Sequence, residues 1–301
     1  GWLRKVFKRH LNEARVEVLS YINASLEIKQ NYAGAHYMHG VVLRELGNLE
    51  GSARAFKRTI QHSHVVEYKP DVLYLGLANL GALYLRLSRK DLVWAGENYL
   101  LTAHHVLTEA NKLEPLRYAP LANLAEVSSK MGQLDEAITW YTAAAEHKDA
   151  DADLFNNFAI AKYKVAVRDD PSKTGMRSID MVASLYERAL EIDRRHVNAH
   201  KNLGKIYYRK KDFVRAGKHF EICYEFAPLD GVCLYDLAKC KMRQGQWEDS
   251  VALMEKLLLP SLQKNDQSAM DLSAVNVEQA RQNLETAWGV IKKSDTGELG
   301  G

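Results

Sequence analysis

An all-α chain, built as one elongated array of antiparallel helix pairs, is predicted by three observations. Only 18 Gly and 6 Pro are spread over 301 residues, too few chain breakers for a loop-rich sandwich or barrel. Hydrophobic residues make up 47% and charged residues 26%, the balance of a chain that buries a core rather than staying disordered. The chain also repeats itself at intervals of about 34 residues, a period that marks stacked supersecondary units.

The repeat is plainest from Val197. With Val197 as position 1, Leu203 and Gly204 fall at 7 and 8, Tyr207 at 11, Ala216 at 20, Phe220 at 24, Cys223 at 27 and Pro228 at 32. The next unit opens at Gly231 and places Leu234, Leu237, Ala238, Trp247, Ser250, Met254 and Leu257 at positions 4, 7, 8, 17, 20, 24 and 27. Positions 4, 7, 8 and 11 share one face of a first helix, and 20, 24 and 27 one face of a second. Small residues at 8, 20 and 27 let the two backbones approach, while larger ones at 4, 7, 11 and 24 fill the space between them. The pattern resembles the tetratricopeptide repeat. That resemblance implies a right-handed superhelical solenoid whose first helices line a concave groove, with positions 2, 5, 6, 9, 12 and 13 turned to a ligand.

In chain order, residues 1–32 are read as N-terminal capping helices or a partial repeat. Trp2, Leu3, Val6, Phe7, Leu11 and Ala14 form its first apolar stripe, and Val18, Ile22 and Ser25 fit the second half of a repeat. Residues 33–262 hold six units, with starts near Ala33, Tyr74, Tyr118, Ala152, Val197 and Gly231. Insertions are expected near 61–73, 104–117 and 168–178. The first two are read as extended second helices, through His62 and Val66 before Pro70 and towards Leu113 before Pro115. The third is read by composition as a loop around Asp169 to Gly175. Residues 263–293 supply a C-terminal capping helix along Val277, Ala280, Leu284, Ala287, Trp288 and Ile291, and 294–301 a flexible tail.

Several function classes are disfavoured. A net charge of +3, from 41 Lys and Arg against 38 Asp and Glu, does not point to nucleic acid. No apolar run is long enough to cross a bilayer, and no signal peptide is recognised, although the chain opens on Gly1. Cys223, Cys233 and Cys240 are read as structural thiols, since 233 and 240 lie too far apart on one helix to bridge and Cys223 fills a small-residue slot. With an odd thiol count this leans towards a reducing compartment and a cytoplasmic location. Among eleven histidines, His36, His39 and His200 fall on packing positions and are read as packed or capped rather than metal-binding. His62/His64 and His104/His105 are read as solvated helix faces. No nucleophile elbow or phosphate-binding glycine loop is present, so no catalysis, metal or cofactor is expected.

The groove positions carry the functional signal. Position 6 reads Met38, Asn79, Asn123, Asn157, Asn202 and Asp236, so four consecutive units offer a carboxamide able to pair with a peptide backbone. Position 13 reads Glu45, Arg86, Lys130, Lys164, Arg209 and Arg243, and Lys201, Lys205 and Lys239 add charge at positions 5 and 9. Both features are also ordinary repeat chemistry. The chaperone-tail clamp is not expected, because Lys205 and Asp236 stand where that subtype needs asparagines.

The expected function is a non-catalytic adaptor that binds an extended acidic protein segment in a basic, asparagine-lined groove. The alternative is the interaction region of a larger enzyme, or of a membrane-anchored assembly factor of the pilus or secretion type. In that case Arg4, Lys5, Lys8 and Arg9 among the apolar residues of 2–11 would meet an anionic membrane.

Overall fold

The computed structural model describes residues 2–64, 70–88, 98–169, 176–258 and 275–295, which form fourteen helices with no strand among the described residues. They fall into two compact bodies, 1–150 and 151–301. The N-terminal body contains α1 (Trp2–Ile28), α2 (Ala33–Glu45), α3 (Leu49–His62), α4 (Pro70–Ser88), α5 (Tyr99–Leu113), α6 (Tyr118–Lys130) and α7 (Leu134–Ala145). The C-terminal body contains α8 (Ala152–Asp169), α9 (Met176–Ile192), α10 (Val197–Arg209), α11 (Phe213–Phe226), α12 (Gly231–Arg243), α13 (Trp247–Leu258) and α14 (Val277–Asp295). In the first body α2 packs on α3, α4 on α5 and α6 on α7; in the second α8 packs on α9, α10 on α11, and α12 on α13.

The small residue at frame position 8 sets how closely the two helices of a pair approach. A Cβ on Gly40 would sit 2.6 Å from the Phe56 ring, and one on Gly204 would sit 2.9 Å from the Phe220 ring. The first and last pairs share a further tie, because Ser52 Oγ donates to the Gly40 carbonyl at 2.7 Å and Ser250 Oγ to that of Ala238 at 2.9 Å. Three turns within pairs place Gly47, Gly132 and Gly245 at φ +84°, +80° and +76°. The equivalent residue between α10 and α11 is Lys211, at φ +59°.

Several boundaries differ from expectation. Residues 2–28 form one helix rather than two, and α4 begins at Pro70, four residues before the expected Tyr74. Proline suits a first helical position, where its missing N–H costs nothing. The expected insertion at 104–117 is helical through Leu113, as read, and Asp169 is helical. The C-terminal helix continues to Asp295, into the expected tail. Val66, the expected loop over 170–175, the stretch 259–274 and residues 296–301 lie outside the described residues, as do the side chains of 1–9. No described helix is long and apolar enough to cross a membrane.

The cysteines require a correction. Cys223 on α11 and Cys233 on α12 are joined as a disulfide across Cα atoms 5.8 Å apart, leaving Cys240 as the buried free thiol. Cys233 and Cys240, on one helix, lie too far apart to bridge, whereas packing brings α11 against α12 and Cys223 to Cys233. Two of the three thiols on which a reducing compartment was expected are therefore already paired.

Candidate interaction surface

In the C-terminal body, the first helices α8, α10 and α12 border a cavity of about 580 Å³. α8 contributes Ile160, Tyr163 and Lys164; α10 contributes Asn202, Lys205, Ile206, Tyr208 and Arg209; and α12 contributes Asp236 and Lys239. Tyr186 and Phe220 enter from the second helices α9 and α11. A second cavity of about 750 Å³ shares Tyr208 and Lys239 with the first and continues past Tyr235 and Arg243 to Gln279 and Asn283 of α14. The two form one groove.

The groove is cationic at its rim. Lys164, Lys205, Arg209 and Arg243 are exposed, and Lys164 and Lys205 have no carboxylate partner among the described residues. Asp236 is the one carboxylate among the described lining residues, and Lys239 already pairs with it at 2.7 Å. Burial opposes the Lys239 charge, but Asp236, together with Tyr208 and Tyr235, outweighs it and holds this ammonium above the usual lysine pKa. The remaining cations are available to a negatively charged ligand.

Tyrosines organise these cations. The Arg209 guanidinium lies 5.4 Å from the Tyr163 ring centroid and donates to its hydroxyl. One repeat further on, Arg243 Nε donates to the Tyr208 hydroxyl at 3.4 Å. Lys239 lies 5.0 Å from the rings of both Tyr208 and Tyr235, and the Tyr235 hydroxyl accepts from Asn283 Nδ2 at 3.1 Å. In the C-terminal body, Arg209 and Arg243 at frame position 13 thus each meet the tyrosine at position 12 of the preceding repeat, Arg209 over its ring and hydroxyl and Arg243 at the hydroxyl. A cation over an aromatic face gains from the ring quadrupole and loses side-chain freedom, so it is held ready for a ligand. These tyrosines are not among the expected site residues, although Tyr163 and Tyr208 stand immediately before Lys164 and Arg209 of the cation row.

The asparagines behave differently in the two bodies. Asn202 Nδ2 donates to Asn156 Oδ1 at 3.0 Å, and Asn156 Nδ2 to Asn157 Oδ1 at 3.2 Å, so a buried asparagine that was not predicted links two that were. Only Asn202 of these lines the cavity. In the N-terminal body Asn79 accepts from Arg44 at 2.7 Å and donates to the Leu75 carbonyl at 2.9 Å, so both ends of its carboxamide are engaged. Asn123 is half-buried on α6, Arg86 is exposed on α4, and Lys130 is exposed 3.9 Å from Glu126. Lys201 lies off the groove, paired at 2.6 Å with Asp230, the N-cap of α12.

The histidines at frame position 4 are packed and capped. His36 Nε2 donates to the Gln30 carbonyl at 2.8 Å and His200 Nε2 to that of Arg194 at 3.0 Å. His62 and His104 are not the solvated residues expected. His62 stacks on His36 with centroids 5.3 Å apart, and His104 bonds Glu136 at 2.8 Å, because the neighbouring helix covers each of them.

Two tetratricopeptide-repeat family models match the chain, one over residues 121–154 and the other over 232–259. No curated protein matches it by sequence. Among solved structures, the C-terminal part of a TPR repeat-containing protein from Cytophaga hutchinsonii superposes with a TM-score of 0.60 at 13% identity, covering 92% of this chain and 98% of that one. PilF of Pseudomonas aeruginosa gives 0.58 at 11% identity over 80% and 96% of the two chains. YrrB, described as a TPR protein with an unusual peptide-binding site, gives 0.52 at 16% identity over 74% and 100%.

Proposed function

Because the chain is a tetratricopeptide-repeat protein, we propose that it is a non-catalytic interaction scaffold whose C-terminal body holds an extended, net-acidic protein segment. The observation that carries this reading is the charge of the groove: Lys164, Lys205, Arg209 and Arg243 are exposed on its walls, while its one described carboxylate is already paired. An acidic chain entering there meets exposed cations, Arg209 among them held over the Tyr163 ring, and the Asn202 carboxamide on the same wall can pair with a peptide backbone. The peptide-binding site named for YrrB is consistent with this use of the fold.

The test is a charge reversal. Lys205, Arg209 and Arg243 are changed together to Glu, and binding of a fluorescein-labelled Glu-rich peptide is followed by anisotropy at several salt concentrations. The reading expects wild-type affinity to fall with salt and the triple variant to lose binding at least tenfold. Equal affinity and equal salt dependence in the two proteins would remove the acidic-ligand reading.

A further inference from the structure

The rim of the first cavity accounts for charge, but its floor is apolar. Tyr186, Ile206 and Phe220 are buried beneath it, and the half-buried Ile160 forms one side. We infer that this cavity is an anchor pocket for one large apolar side chain, Phe or Leu, of the acidic segment. The inference rests on the reading of the groove as a peptide site and adds what that site selects.

Three features support it. The volume, about 580 Å³, is ample for one aromatic or branched aliphatic side chain with its adjoining backbone. The largely apolar floor offers a carboxylate at most the Tyr186 hydroxyl, so a ligand made only of acids would contact the rim and leave most of the floor wet. Exposed cations border the floor on two helices, with Lys164 on α8 and Lys205 and Arg209 on α10, while Lys239 on α12 is paired with Asp236.

The spacing sets a pattern for the ligand. Lys205 and Arg209 are one helical turn apart on α10, about 6 Å along its axis. Side chains two residues apart in an extended chain point the same way and stand about 6.5–7 Å apart. Acids two residues before and two residues after the anchor stand about 13–14 Å apart, so one meets Lys205 or Arg209 on α10 and the other Lys164 on α8 while the anchor fills the pocket. Neighbouring residues point away and contribute little. Specificity then lies in the joint demand for a buried apolar group and flanking carboxylates.

Two fluorescein-labelled peptides of Gly, Ser and Glu, identical except for a central Phe or Ala and with Glu two residues to either side of it, test this by anisotropy against the full chain. A neutral Gly-Ser peptide serves as control. The Phe peptide is expected to bind at least about tenfold more tightly than the Ala peptide, the effect of burying such a side chain. Repeating the pair with Ile160→Ala completes a double-mutant cycle, in which the Phe peptide weakens and the Ala peptide does not. A misfolded variant would weaken both peptides equally, and the wild-type comparison decides the question without it. If the Ala peptide binds with salt-dependent affinity and Phe improves it less than twofold, the anchor pocket is refuted while the acidic groove stands. If neither Glu-bearing peptide binds better than the neutral control, the groove reading falls and this inference with it.

Discussion

Lys239 and Asp236 face each other across 2.7 Å, three residues apart on α12, with the lysine ammonium held 5.0 Å from the rings of both Tyr208 and Tyr235. The pair stands where the two cavities of the groove meet, since Lys239 lines both. It neutralises a carboxylate that would otherwise repel an acidic ligand, and it holds a half-buried lysine in one place.

Changing Asp236 to Asn should therefore separate stability from recognition. Lys239 loses its counter-charge, and the fold should weaken by about 1–2 kcal/mol, less than for a fully buried pair because the lysine retains some solvent. The groove gains one net positive charge, and affinity for a Glu-rich peptide should rise about two- to fivefold at low salt. Urea denaturation and peptide anisotropy on the same variant check both directions. Weaker peptide binding would show that the pair chiefly positions Lys239.

Lys211 occupies the turn position that glycine fills in three other pairs, at φ +59°. A side chain in the left-handed region crowds its own carbonyl, a cost that glycine avoids. Lys211→Gly should stabilise the protein by about 0.5–1 kcal/mol, and Gly245→Ala, at φ +76°, should destabilise it by a similar amount. The shifts in denaturation midpoint should have opposite signs.

His219 should make the C-terminal body acid-sensitive. Burial first, then the neighbouring His200 and Arg215, lower its pKa from 6.5 to about 4. His200 uses its Nε2 proton on the Arg194 carbonyl, so its Nδ1 accepts from His219 Nδ1 at 2.9 Å, and the His219 ring stacks on Tyr207. Between pH 6.5 and 4 the unfolded chain takes up a proton that the folded chain refuses. Stability therefore rises with pH through that window and falls as the solution is acidified. His36 and His39, also lowered chiefly by burial, add to the same trend from the N-terminal body. A series of thermal melts from pH 7.5 to 4.5 should show the decline, with a shallower slope for His219→Phe.

The cysteines give a thiol count. In denaturant without reductant, one thiol per chain should react, from Cys240, and after reduction three should. In the native protein Cys240 should resist alkylation, because burial above all pushes its thiol up to about 12. Closing a loop whose ends are ten positions apart in sequence constrains the unfolded chain by about 2–3 kcal/mol, so reduction should lower the denaturation midpoint. Three reactive thiols without reductant would show that Cys223 and Cys233 are unpaired.

Much of the helix arrangement was legible because it is periodic. Ala33, Tyr118, Ala152, Val197 and Gly231 were marked as starts by the spacing of their following apolar residues, and each is the first residue of a helix. The cation row at position 13 was equally readable, and Lys164, Arg209 and Arg243 line the groove. The asparagine row was readable as composition but not as chemistry. Asn79 and Asn202 have the same frame position, yet Arg44 and Leu75 engage one while the other reaches Asn156. Those partners are side chains and carbonyls whose placement depends on the neighbouring helices.

By itself, then, the sequence determined the helix pairs, their turns and the sign of the charge along the first helices, because each follows from residues within one or two helical turns. The tertiary structure decided which charges remain available. Lys201 is taken by Asp230, Lys239 by Asp236, and Cys223 by Cys233, while Arg209 is laid on Tyr163 and Arg243 donates to the Tyr208 hydroxyl. Most of these partners stand on different helices, brought together by packing between repeats. The apolar floor of Ile160, Tyr186, Ile206 and Phe220 has the same origin, since four helices supply one residue each and no single period in the chain could show them meeting.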